Sequence, residues 1–234
     1  MNLSQKLRIA EIFKSIQGEG GRIGTPSLFI RVSGCNLRCG WCDTPYASWN
    51  PEGPTMSLEE ILKQVDASQI QDIVLTGGEP MLFDAIEDLI VQLKLRNHFV
   101  TVETAGTVYR EMSANLMSIS PKLKNSVPTN EPIWATKHEK LRSNLEPLKK
   151  LIKRYDFQLK FVVIPENEGE IQEIKDILNS LGRIKPDQVY LMPEGRDPSV
   201  LLKRAKQLVP ICLETGWRIA PRYQIDLFGD TRGT

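Results

Sequence analysis

Charge of one predominant sign is missing from this chain of 234 residues: 30 lysines and arginines stand against 29 aspartates and glutamates, a formal net charge of +1. That balance leaves no overall electrostatic footprint for gripping a nucleic-acid backbone. Long apolar runs are missing too. No segment approaches the roughly 20 apolar residues that span a bilayer, and the opening MNLSQKLRIAEIF has no apolar core of signal-peptide length. The expectation is a cytoplasmic protein that engages neither membrane nor, directly, nucleic acid. The chain shows no fixed-period repeat and no low-complexity tract, which sets aside solenoid and disordered readings. Histidine is scarce, with two residues, and there are four cysteines, three of them within the eight positions 35 to 42. In a reducing compartment, clustered cysteines are metal ligands or catalysts more often than structural disulfides.

What the sequence does contain is an alternation. Short runs rich in β-branched and aromatic residues occur at Ser27–Ser33, Ile70–Leu75, Phe99–Val102, Leu116–Ile119, Phe157–Ile164 and Gln188–Leu191, and they read as strands. Between them, Ser57–Val65, Asp84–Leu95, Asn144–Tyr155, Glu168–Leu181 and Pro198–Leu208 carry the helical period. Ser57-Leu-Glu-Glu60 and Asp84-Ala-Ile-Glu87 have the pattern of helix-capping boxes. Strands alternating with helices imply right-handed crossovers and a mainly parallel sheet. With 41% hydrophobic residues, one domain over residues 1–234 is the expectation: an α/β fold in which six units make a partial (β/α)6 barrel, smaller than a full eight-unit barrel. Tyr46–Met56, rich in proline and glycine, reads as a surface loop. The tail 216–234 reads as a last strand followed by an irregular C-terminal extension.

In parallel barrels the ligand site is built from loops at the C-terminal ends of the strands. Here those loops are GCNLRCGWCDT (34–44), TGGEP (76–80), ETAG (103–106), SPK (120–122) and MPEG (192–195). Any one of them could be ordinary turn chemistry. Together, with the cysteines among them, they point to one site.

Cys35, Cys39 and Cys42 have the spacing CxxxCxxC, whereas Cys212 lies far off in the apolar VPICLE and reads as a small buried hydrophobe. A structural zinc site closes with four protein ligands, and neither His98 nor His138 has a spacing that points at the cluster. Three thiolates suit a four-iron cluster with one iron left open. Gly34, Gly40 and Asn36 would let the loop wrap closely around such a core. Trp41 would shield the cluster or line a neighbouring site, or simply pack the loop.

The CxxxCxxC loop after the first expected strand, followed by GGEP after the second, resembles the radical S-adenosylmethionine superfamily. That resemblance, over nearly the whole chain, implies one 4Fe-4S cluster whose open iron is chelated by S-adenosylmethionine, and a 5′-deoxyadenosyl radical that takes a hydrogen atom from substrate. The flanking segments Ile12–Gly20, Arg31–Cys35, Cys42–Thr44, Thr76–Pro80, Val102–Thr107 and Ser120–Lys122 together resemble the 7-carboxy-7-deazaguanine synthase family. Members convert 6-carboxy-5,6,7,8-tetrahydropterin to 7-carboxy-7-deazaguanine with loss of ammonia, toward queuosine. The resemblance further implies Mg²⁺, a homodimer and an electron donor such as flavodoxin.

By the same resemblance, Cys35, Cys39 and Cys42 hold the cluster. Trp41, Cys42, Asp43, Gly78, Glu79, Ser120, Pro121, Lys122, Met192, Pro193, Glu194 and Gly195 correspond to the cofactor site. Ile16, Gln17, Gly18, Glu19, Arg31 and Thr76 correspond to the substrate site, Arg31 being suited by its planar fork to a carboxylate. Thr44 corresponds to a Mg²⁺ ligand; on the residues alone it reads equally as a turn cap. Gln224 stands where many relatives carry a histidine, which permits hydrogen bonding but no titration near neutral pH. Thr234 would reach the substrate through its terminal carboxylate, against the ordinary expectation of a frayed end. Two other readings stay open: another radical enzyme such as a glycyl-radical activase, and a non-catalytic Fe-S or zinc module.

Overall fold

The computed structural model describes residues 3–234. One nine-stranded sheet organises them. Strands β1 (Lys6–Ile16) and β2 (Pro26–Val32) form an antiparallel hairpin, with the short β3 (Thr55–Ser57) flanking β1. From β2 onward every pairing is parallel, through β4 (Asp72–Gly77), β5 (Phe99–Thr104), β6 (Leu116–Ile119), β7 (Phe157–Val163), β8 (Val189–Pro193) and β9 (Arg218–Ile219). The order β3-β1-β2-β4-β5-β6-β7-β8-β9 leaves the two ends unpaired, so the sheet is an open, partial barrel. The six expected strands are β2 and β4 to β8.

The helices are α1 (Leu58–Ser68), α2 (Ala85–Leu95), α3 (Pro132–Arg142), α4 (Glu146–Arg154), α5 (Glu170–Leu181), α6 (Pro198–Thr215) and α7 (Tyr223–Phe228). At α1 the capping box forms: Ser57 Oγ accepts from the Glu60 amide at 3.2 Å, and the Glu60 carboxylate accepts from the Ser57 amide at 2.7 Å. At α2 it does not. Asp84 is already helical, with φ −59° and ψ −38°, and its carboxylate pairs instead with Arg110 at 2.5 Å. Helix α6 runs past the Leu208 expected as its end, through Pro210; both Pro210 and Lys206, whose carbonyl loses its partner, face water. The Tyr46–Met56 stretch is not all loop, since Met56 sits in β3 opposite Leu7.

Side chains alternate along the strands, and this alternation positions the site. Ile30, Leu75, Val102, Ile119 and Phe161 are fully buried in the main core that also takes up Leu62, Leu89 and Ile174 from the helices. The residue beside each of them points the other way, into the concave face, and those residues are polar: Arg31, Thr76, Glu103, Ser118 and Lys160. Among the described residues, no helix is long and apolar enough to cross a membrane.

Candidate active site

The concave face encloses a cavity of about 460 Å³. One wall is the loop after β2. Gly34 enters it with φ +127°, a conformation open to glycine, and its amide donates to the Ala47 carbonyl at 2.8 Å. Gly40 keeps an ordinary negative φ, so the expected backbone freedom is used at Gly34 and not at Gly40. The loop is tied from outside. Trp49 Nε1 donates to the Cys39 carbonyl at 3.0 Å, the Gly40 amide donates to the Ser126 carbonyl at 2.9 Å, and the Arg38 amide donates to His138 Nδ1 at 3.2 Å.

Cys35, Cys39 and Cys42 all border this cavity, and all four cysteines are free. Burial, with the negative charge of Glu79 behind it, pushes the Cys35 thiol up to about 12; burial likewise takes Cys39 to about 12, against the opposing pull of Lys122. Such thiols need cationic metal to become thiolates. The remaining donors are elsewhere: His98 contacts the Gln71 carbonyl, His138 is engaged with Arg38 and Ser126, and Cys212 lies on α6. Among the described residues no group of three or more His, Cys, Asp or Glu side chains is placed to hold a single metal ion. Three cysteines spread along one cavity wall, with no fourth protein ligand among the described residues, fit a cluster with an open iron better than a closed zinc site.

Strand register builds the floor. Arg31 lies beside Thr76 on β2 and β4, and Glu103 beside Ser118 on β5 and β6. Thr76 Oγ1 donates to Glu103 at 2.9 Å, and Gln17 Nε2 to its other oxygen at 3.2 Å. Lys160 is buried, ion-paired with Glu19, and 3.9 Å from Glu103. Glu19 also accepts from Gln224 Nε2 at 2.9 Å and lies 3.6 Å from Arg222. Burial works against its charge, but Lys160 and Arg222 outweigh burial and bring its pKa down to about 2. Gln224 Oε1 is buried with no protein partner among the described residues, an unsatisfied acceptor in a residue that lines the cavity.

Most sequence-predicted site residues meet here. Ile16, Gln17, Gly18, Glu19, Arg31, Thr76, Gln224 and Thr234 line the cavity, as do Trp41, Cys42, Asp43, Thr44, Gly78, Ser120, Lys122 and Met192. Five do not line it: Glu79, Pro121, Pro193, Glu194 and Gly195. The Glu79 carboxylate is fully buried and occupied by Thr104 Oγ1, the Ala105 amide and the Met81 amide at 2.8, 2.8 and 3.0 Å, so it braces the β4 and β5 loops. Glu194 is turned to Arg204 at 2.5 Å, and the Gly195 carbonyl accepts from Arg222 at 2.6 Å. Sequence reasoning named Glu103 only as part of the ETAG loop, with no role of its own, and missed Ser118, Lys160, Arg222 and Arg232; all five line the cavity. A signal for three of them was present: a polar residue at the alternate position of a strand that should be apolar on both faces.

The radical SAM superfamily model matches residues 29–178. The 7-carboxy-7-deazaguanine synthase of Rhodopirellula baltica is 44% identical, covering 97% of this chain and 89% of the relative. That of Halobacterium salinarum is 41% identical, covering 97% and 93%. Among solved structures, QueE from Escherichia coli superposes with a TM-score of 0.67 at 23% identity, over 93% of this chain and 94% of that one, a likeness of fold. The chain belongs to the radical S-adenosylmethionine superfamily and, within it, to the 7-carboxy-7-deazaguanine synthase family.

Proposed function

We infer that this protein converts 6-carboxy-5,6,7,8-tetrahydropterin to 7-carboxy-7-deazaguanine with release of ammonia. One observation carries the reading on the side of the structure: a single cavity brings the three-cysteine wall face to face with a polar floor of amide, carboxylate and guanidinium groups. Cys35, Cys39 and Cys42 would hold the 4Fe-4S cluster, with S-adenosylmethionine lying along Trp41–Asp43, Gly78, Ser120, Lys122 and Met192. Bound together and given one electron by an external reductant, these groups would supply the radical chemistry that takes a hydrogen atom from substrate.

The protein's own part is recognition and water exclusion. Gln17 and Glu19 offer the donor and acceptor pattern a pterin edge requires, and Glu19, ionised under Lys160, accepts hydrogen bonds from ring N–H groups. Arg31 is engaged by Glu11 through Nε at 3.1 Å, which leaves its Nη edge for the substrate carboxylate. Thr44 has its hydroxyl 3.9 Å from Cys42 Sγ on the cavity wall and would give Mg²⁺ one oxygen, water and substrate giving the rest. The reading also includes a homodimer, reduced in the cytoplasm by a flavodoxin-type donor; four free cysteines suit a reducing compartment.

The test is anaerobic incubation of reconstituted protein with reductant, Mg²⁺, S-adenosylmethionine and 6-carboxytetrahydropterin, read by mass spectrometry. 7-Carboxy-7-deazaguanine is the expected product, lost in Cys39→Ala. Cleavage of S-adenosylmethionine without that product would overturn the substrate assignment, and zinc in place of iron and sulfide would overturn the enzyme reading altogether.

A further inference from the structure

Residues 229–234 form part of the cavity wall although they belong to no helix or strand. Gly229 and Gly233 are both at positive φ, and among the described residues no atom stands where a side chain added at either would pack. Two side chains anchor it. Asp230 reaches Arg196, in the loop between β8 and α6, at 3.5 Å. Arg232 lies over the Tyr46 ring at 3.9 Å, pairs with Glu52 at 2.5 Å, and pairs with Glu11 of β1.

Glu11 makes this anchor more than a surface contact. Its side chain is 8% exposed and divides its two oxygens between two guanidiniums: Oε1 takes Arg232 Nε, and Oε2 takes Arg31 Nε at 3.1 Å. Tyr46 hydrogen-bonds the same carboxylate. One buried anion thus joins the terminal segment to the arginine that faces the cavity.

We propose that residues 229–234 are a strap across the cavity mouth, and that Arg232 is the positioning residue that latches it, through Glu11, to the Arg31 substrate site. The coupling to substrate rests on the function proposed above. A latched strap keeps Glu11 fixed and hence Arg31 oriented; a released strap frees Glu11 to pivot and opens the mouth to water.

Arg232→Ala, Arg232→Lys and Glu52→Gln test it in the full-length, cluster-loaded protein. Hydrogen exchange should rise in Arg232→Ala for peptides covering 223–234, with β4 to β7 unchanged. KM for 6-carboxytetrahydropterin should rise about tenfold, the combined loss of one cation–π contact and two ion pairs, one to a buried carboxylate. Iron content and KM for S-adenosylmethionine should hold. Arg232→Lys, which keeps charge but not the fork, should recover part of the loss, and Glu52→Gln should lie between it and wild type. Unchanged exchange in Arg232→Ala would overturn the latch, and faster exchange with unchanged pterin KM would overturn its coupling to Arg31. Wild-type protein that makes no 7-carboxy-7-deazaguanine would instead overturn the assigned reaction, while the exchange measurement would still decide the latch.

Discussion

Lys160, in the middle of the buried parallel strand β7, is ion-paired on the cavity floor with Glu19, from the loop after β1. A lysine there is costly unless paired, and the pair is placed so that a ligand meets the carboxylate with its countercharge beneath it. Lys160→Met therefore removes the partner and leaves Glu19 buried beside the more distant Arg222. The expected loss is about 3 kcal/mol in urea unfolding at neutral pH, with the double variant Lys160→Met/Glu19→Gln recovering part of it. The pH dependence follows from the depressed carboxyl. Its stabilisation is present above the ordinary 4.5 and fades as pH falls toward about 2, so Lys160→Met should flatten the stability curve across that window. A single variant that loses less than about 1 kcal/mol would show the pair contributes no more than a surface one.

Gly78 marks where the TGGEP loop packs on the cysteine loop. A Cβ there would stand 2.0 Å from the Gly34 carbonyl oxygen and 2.5 Å from that of Ala47, backbone on both sides. Gly78→Ala should displace the entry to Cys35, cost about 1–3 kcal/mol and lower the iron bound per chain after anaerobic reconstitution. Gly40→Ala is the control: its methyl finds ordinary contacts at 3.7 Å, and iron content should match wild type. Equal iron in both variants would mean the loop yields more easily than its packing indicates.

The sequence revealed the loops better than the floor. GCNLRCGWCDT and TGGEP announce themselves because glycine and cysteine are rare and local, and strand ends are where such residues gather. Lys160 and Ser118 hide inside FQLKFVV and LMSI, whose apolar neighbours dominate any reading of the run; only the two-residue alternation separates the faces. Strand β1 is equally quiet, since a bulge between Ile9 and Glu11 breaks its alternation midway. Helix α3 escaped notice because His138 is its one buried residue, which leaves no apolar stripe. Arg232 and Glu11 are 221 positions apart, and no local pattern links them.

Thr44 supplies a metal test. Thr44→Val keeps the shape and removes the hydroxyl, so turnover should lose its response to added Mg²⁺, whereas Thr44→Ser should keep it. Titration of turnover with MgCl₂ in chelator-treated protein reads the difference. A full Mg²⁺ response in Thr44→Val would assign the ion to other oxygens.

His138 gives the cysteine loop an acid-sensitive anchor. Its Nδ1 accepts from the Arg38 amide, which places the proton on Nε2, 2.9 Å from Ser126 Oγ. Burial, then Lys122 and Arg142, hold its pKa down to about 4 from the usual 6.5. The unfolded chain therefore takes up the proton first as pH falls. Stability is complete above 6.5 and declines between 6.5 and about 4, by up to about 1.4 kcal/mol per pH unit. His138→Gln retains an acceptor for Arg38 and cannot titrate, so its unfolding midpoint should stay level where wild type falls. Parallel urea titrations at about pH 7.5 and about pH 5 decide the matter, since curves that fall equally in both proteins would place the acid sensitivity elsewhere.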